Sequence, residues 1–173
     1  MAVFPIRLFG DPVLRQRCAD VPSVDEAVRK LMHDMTDTMV GAPGVGLAAP
    51  QIGVLRRVIV WRNGDDHGAL ANARVLAVRG AVEAEEACLS LPGIRYPVVR
   101  AEWIRFEGLN DSNELVELEA EEFTARIIQH EIDHTEGILF TDRLPPDLRR
   151  DARRQLREIL LADEAPAEVS PAL

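Results

Sequence analysis

The chain has 173 residues, with 20 Lys and Arg against 29 Asp and Glu, a formal net charge of -9 at pH 7. That is enough chain for one domain with one proper core, and 47% hydrophobic residues are ordinary for a globular protein. No apolar run approaches the ~20 residues that span a bilayer, the N-terminus has no secretory layout, and the acidic balance disfavours nonspecific binding to nucleic acid or anionic lipid, so a cytoplasmic protein with no membrane or DNA partner is expected.

The first element in the chain is a helix. Ser23 offers an N-cap with Glu26 three residues on, a capping box. Val24, Val28, Leu31, Met32, Met35 and Met39 then repeat at helical spacing, and Pro43 and Gly44 end the helix near Gly41. His33 falls on its polar side, as a surface histidine. Arg57 to Trp61 reads as a buried strand with Asn63-Gly64-Asp65-Asp66 as its turn, and 69–78 as a weaker strand. From Val98 to Glu107 a strand sends Trp103 and Arg105 one way, Ile104 and Phe106 the other. After the turn Asn110-Asp111-Ser112-Asn113, Val116, Leu118 and Ala120 share a face, so the two runs form an antiparallel hairpin. Helices follow over about Glu121 to Thr135 and about Pro146 to Ala162. The expected fold is α+β: mostly antiparallel sheets packed around a central helix bearing His130 and His134, with an N-terminal and a C-terminal helix. Residues 1–162 should form one catalytic domain, and the acidic, Pro/Ala-rich 163–173 a disordered tail.

Two cysteines, Cys18 and Cys88, are too few for a disulfide framework. The strongest chemical signal is His130-Glu131-Ile132-Asp133-His134, an H-E-x-x-H. On a helix, i and i+4 lie on one face. Two imidazoles there can bind one cation, with Glu131 beside it to take a proton from an activated water. Phe123, Ile127, His130 and His134 share this face, so the histidines continue an apolar stripe, and buried histidines need partners. A hydrolytic site needs a third ligand and an open position. Downstream, Glu136 lies on the wrong face and Asp142 is possible. Upstream stands Cys88, in Glu86-Ala87-Cys88-Leu89-Ser90; by itself it reads more simply as a structural thiol. Gly44-Val45-Gly46-Leu47-Ala48-Ala49-Pro50-Gln51 keeps its backbone bare for close approach and lacks the lysine of a phosphate loop. Gln51 can donate an amide hydrogen bond to an oxyanion.

Taken together, G-x-G-x-A-A-x-Q, E-x-C-L-S and Q-H-E-x-D-H, in this order, resemble the peptide deformylase family, from about Ile6 to Leu144 and including the opening Gly10-Asp11-Pro12-Val13-Leu14-Arg15. The resemblance implies one divalent metal per chain, Fe(II) with Zn(II) or Ni(II) able to replace it, and removal of the N-formyl group from nascent chains that begin with formyl-methionine. It implies Cys88, His130 and His134 on the metal and Glu131 as general base, then acid. Gln51 and the Leu89 N–H would stabilise the oxyanion, and a Glu86–Arg100 ion pair would hold the Cys88 loop. Val45 and Ile127 would line the methionine pocket, and the backbones of Gly46 and Ala87 would pair with substrate. The short spacing from Gln51 to Cys88 and the helical C-terminus look like the type found in Gram-negative bacteria and organelles. The chain departs from the family at Ala87 and often at Glu122, where glycine is usual, at Thr135, and at Asn72-Ala73, where Asn-Pro is common. These departures bear on substrate range rather than on hydrolysis. The alternative is a related amidase for another N-formyl or small N-acyl compound. A structural metal domain has no need of Glu131.

The last helix carries Arg149, Arg150, Arg153, Arg154 and Arg157. It reads as a solvated face or, on the resemblance, as a dock for the ribosome; as a dock, 147–173 would be dispensable for hydrolysis of a short peptide.

Overall fold

The computed structural model describes residues 3–164. Within the tail expected over 163–173, residues 165–173 lie outside these, and Asp163 and Glu164 instead close the last helix. The fold is α+β, with every paired strand antiparallel. Helix α1 spans Glu26–Gly41, and strands β1 Gly46–Ala48, β2 Val58–Asn63 and β3 Asp66–Arg79 follow. Then come β4 Val82–Cys88, β5 Leu91–Arg100, β6 Trp103–Leu109 and β7 Leu115–Glu121, and the helices α2 Glu122–Thr135 and α3 Pro146–Glu164. One sheet has the order β1-β2-β3-β6-β7; the other is the hairpin β4-β5. Among the described residues no helix is long and apolar enough to cross a membrane.

Strand β2 shows why the run Val58 to Trp61 is apolar without a break. Side chains alternate across a strand. Val58 and Val60 pack with Met32, Met35 and Met39 of α1, whereas Ile59 and Trp61 pack with Ile104, Phe106 and Ile128 on the α2 side. With a helix on each face, this run has no polar side, and polar residues begin only at the exposed Arg62 and Asn63. A third cluster joins Leu91, Ile94, Tyr96 and Val98 of β5 to Phe140 and to Ala152 and Leu156 of α3.

Several elements differ from expectation. Helix α1 is capped by Asp25, not Ser23: the Asp25 carboxylate accepts the Val28 N–H at 2.9 Å, two residues into the proposed helix. Val24 is instead buried ahead of the helix, its N–H bonded to Asn113 Oδ1. The single strand expected from Val98 to Glu107 is two strands in two sheets. The chain turns at Ala101-Glu102, where Gln129 of α2 accepts the Ala101 N–H at 3.1 Å and donates to the Ala101 carbonyl at 3.0 Å. Strand β3 is longer than expected and bends, with register shifts between Ala71 and Arg74 and between Val75 and Ala77. At the first bend Asn72 sits at φ +55° and its amide bonds both the N–H and the carbonyl of Val21. On β7, Leu118 is exposed, because this strand is the edge of the sheet.

Helix α3 is not a detachable appendage. Ala152 and Leu156 are wholly buried, and truncating one such leucine typically costs about 2–5 kcal/mol. Tyr96 Oη donates to Asp151 Oδ2 at 2.5 Å and accepts from Gln155 at 2.9 Å, which ties α3 to β5. The expectation that 147–173 could be removed without harm to the catalytic domain is overturned by this packing.

Candidate metal centre and active site

Helix α2 presents His130 and His134 one turn apart, both buried, with ring centroids 4.9 Å apart. Cys88 reaches them from the end of β4 rather than from a loop. Its Sγ lies 3.2 Å from His134 Nε2, and the ligand atoms of Cys88, His130 and His134 all fall within 4.8 Å of one another. A thiolate and two imidazoles form a donor set suited to zinc, iron or nickel, so these residues fit the metal that the motifs imply. Glu136 and Asp142 are elsewhere: Glu136 pairs with Arg57 and Arg17, and Asp142 with Arg15. His33 is exposed and faces Asp37.

The orientation of His130 is set by Glu86, whose Oε2 meets His130 Nδ1 at 2.9 Å. Burial pushes the Glu86 carboxyl up, but the bonds from Arg100 and His130 outweigh it and hold it well below the usual carboxylate range. An ionised carboxylate can only accept, so Nδ1 carries a proton and Nε2 is the atom left to meet a cation. Burial pushes His134 well down, which keeps that imidazole neutral.

The expected Glu86–Arg100 pair is present as a two-point contact, Nε to Oε1 at 2.7 Å and Nη2 to Oε2 at 2.9 Å. It is part of a larger buried network. Arg100 Nη1 also donates to Asp133 at 2.5 Å, Arg143 meets the same Asp133, and Arg126 donates to Glu86 Oε1 at 2.8 Å. Sequence reading missed Arg126, Asp133 and Arg143. For Asp133 and Arg126 the available signal was charged residues at helix positions facing the core, i+3 and i−4 from His130; Arg143, outside that helix, left no such signal.

Glu131 is buried beside Gly46. Burial pushes its carboxyl up to about 7, opposed by His130. Its Oε2 has no hydrogen-bond partner among the described residues. Gln51 is held in a short 3-10 turn over Ala49–Ile52. Its Oε1 accepts the Ala48 N–H at 2.8 Å, so its Nε2 faces the site, 3.2 Å from Ser90 Oγ and 3.6 Å from Cys88 Sγ. Gly46, Gln51, Cys88, His130 and Glu131 border a cavity of about 380 Å³, with Val45, Ala87, Leu89, Phe123 and Ile127 among its other walls. Phe123 was expected to continue the buried stripe, but it is 48% exposed at this wall. Ala87 is exposed and does not have a positive φ, so its methyl brings no backbone strain. Glu122 does, at φ +49°.

Comparison with known proteins bears on the family and the fold. The family described as polypeptide deformylase matches residues 3–150. A peptide deformylase of Acidothermus cellulolyticus is 48% identical over 158 residues, 91% of this chain and 88% of that protein. The crystal structure of a peptide deformylase from Legionella pneumophila superposes with a TM-score of 0.88 at 38% identity, over 96% of this chain and all of that one. The peptide deformylase of Thermus thermophilus gives 0.87 at 43% identity, over 92% and 96% of the two chains. The chain belongs to the polypeptide deformylase family.

Proposed function

We propose that, in this member of the family, Cys88, His130 and His134 hold one divalent metal, Fe(II) in the cell and replaceable by Zn(II) or Ni(II), with Glu131 as the proton carrier. The activity is the family's: the chain is a hydrolase that removes the N-formyl group from formyl-Met nascent peptides. The observation that carries the site assignment is the convergence of one thiol and two imidazoles within 4.8 Å, next to a buried carboxylate with an unpartnered oxygen.

A divalent metal held by Cys88, His130 and His134 would supply Lewis-acid chemistry, acidifying water and polarising the formyl oxygen. Glu131 would accept the water's proton and return it to the departing amine, the two tasks of a positioned general base and acid. Gln51 Nε2, fixed by the Ala48 N–H, donates to the oxyanion together with the Leu89 N–H. The methionine side chain lies against Val45 and Ile127, and the substrate backbone runs beside Gly46 and Ala87. Anaerobic hydrolysis of formyl-Met-Ala-Ser, with metal analysis of the same sample, tests the assignment. One metal per chain and fast formate release are expected. An inert iron-loaded protein that hydrolyses another formamide would transfer the assignment to the related amidase.

The enzyme works in the cytoplasm of a bacterial cell, where formylated chains emerge, and meets the ribosome through α3. Support comes from Arg150, Arg153 and Arg157, which are exposed and border one groove. Arg149 is not part of this face, because its guanidinium bonds the carbonyls of Asp142 and Leu144. The test is charge reversal, Arg150→Glu with Arg157→Glu, since truncation would strip the core. Lost ribosome co-sedimentation with intact peptide hydrolysis is expected; unchanged co-sedimentation refutes the dock.

A further inference from the structure

We propose that Arg126 is a positioning residue for the metal centre, setting the gap between the hairpin that carries Cys88 and the helix that carries both histidines. The inference rests on the ligand assignment above. The ligands come from two separate bodies. Cys88 ends β4 in the two-stranded sheet, whereas His130 and His134 belong to α2, which packs on β1, β2 and β7 of the larger sheet. The cavity lies between the two bodies, lined by Glu85 to Leu89 on one side and by Arg126, Ile127 and His130 on the other. Apolar packing therefore does not fix their spacing at this point, and polar contacts must.

Arg126 precedes His130 by four residues, so Arg126, His130 and His134 stack along one stripe of α2. It is buried, and its guanidinium crosses to the hairpin. Nη2 donates to the Val82 carbonyl at 2.9 Å, and Nη1 to the Val98 carbonyl at 2.9 Å and to Glu86 Oε1 at 2.8 Å, with a longer contact to the Ala84 carbonyl at 3.3 Å. One side chain thus grips β4, β5 and the carboxylate that orients His130. Cys88 lies two residues beyond Glu86, across the register shift that ends the hairpin pairing. Arg100 ties the same two bodies at a different point: it belongs to β5, its bonds to Glu86 stay within the hairpin, and it meets α2 at Asp133, beyond His130, whereas Arg126 acts on the Cys88 side. A methionine at 126 fills similar volume with no donors. A lysine keeps the charge and some of the bonds but lacks the planar fork.

A merely structural role would lower the melting temperature and leave the metal site of the folded protein unchanged. The test loads wild type, Arg126→Met and Arg126→Lys with Co(II). Folding is read by circular dichroism, the thiolate-to-cobalt charge-transfer band by absorption, and affinity by chelator competition. Folded Arg126→Met should bind Co(II) at least ~10-fold less tightly, the usual scale for groups that orient ligands, with a weakened or shifted thiolate band. Arg126→Lys should recover part of both. Wild-type band and affinity in folded Arg126→Met overturn the proposal. If that variant does not fold, Arg126→Lys decides by the same two readouts. Absence of the thiolate band in wild type would remove Cys88 from the metal and this proposal with it, whereas a normal wild-type band with unaltered variants sinks the role of Arg126 alone.

Discussion

Gly46→Ala should damage catalysis more than stability. A Cβ added at Gly46 would stand 2.3 Å from Glu131 Oε1 and 2.8 Å from Ile127 Cγ2, where ordinary contacts begin at 3.4 Å. The carboxylate is the far end of a flexible side chain, so it is the group that yields, by roughly 1 Å, and a misplacement of that size costs about 10²-fold in rate. The accompanying overpacking costs about 1–3 kcal/mol, or a melting temperature lower by roughly 2–12 °C in a chain of this size. The control is Gly44→Ala, whose Cβ meets Leu89 Cδ1 at 2.8 Å; that methyl can swing aside without touching the base. Steady-state kinetics on a formyl-Met tripeptide, metal content and a thermal melt should be measured on both. Gly46→Ala should keep its metal and lose kcat, and Gly44→Ala should turn over like wild type. A metal-replete Gly46→Ala enzyme with wild-type kcat would refute the reasoning. A rise in KM alone would mean that the methyl meets substrate rather than Glu131.

Glu131→Gln should retain metal and fold while losing at least ~10²-fold in rate, the scale of a positioned general base; turnover near wild type at pH 7 would exclude Glu131 from that task. Glu122 sits at φ +49°, a conformation that costs a side chain about 1–2 kcal/mol. Glu122→Gly should therefore melt above Glu122→Ala by roughly 2–4 °C, a comparison in which the loss of the carboxylate cancels; equal melting temperatures would show that the backbone there is relaxed. Burial pushes the Cys18 thiol up to about 11, against the pull of Arg57. At pH 8 its thiolate is then roughly 10⁻³ of the population. Titration with a disulfide reagent should find Cys18 unreactive in the native protein and reactive after unfolding, and rapid native labelling of Cys18 would contradict the burial.

Local pattern in the sequence is enough to determine the helices and the two tight hairpins. The methionine and valine spacing of α1, the i, i+4 histidines of α2 and the Asn-Gly-Asp-Asp turn after β2 each act over a few residues, and a period of 3.6 or 2 records them directly. The same locality made the chemical residues legible: Cys88, His130, Glu131, His134 and Gln51 all border or adjoin one cavity. Only the tertiary structure decided how the pieces are spaced. Nothing within the run from Val98 to Glu107 marks a strand end, and it is Gln129, 28 residues beyond Ala101, that holds the turn between the two sheets. Strand β4 hides its pattern because its inward position is a charged Glu86, tolerable only because Arg100, Arg126 and His130 arrive from other elements. The basic helix α3 reads as a surface element until Ala152 and Leu156 are found wholly buried under it. In each case the deciding interaction is a contact between residues far apart in sequence, and its partner leaves no periodic trace in the segment it shapes.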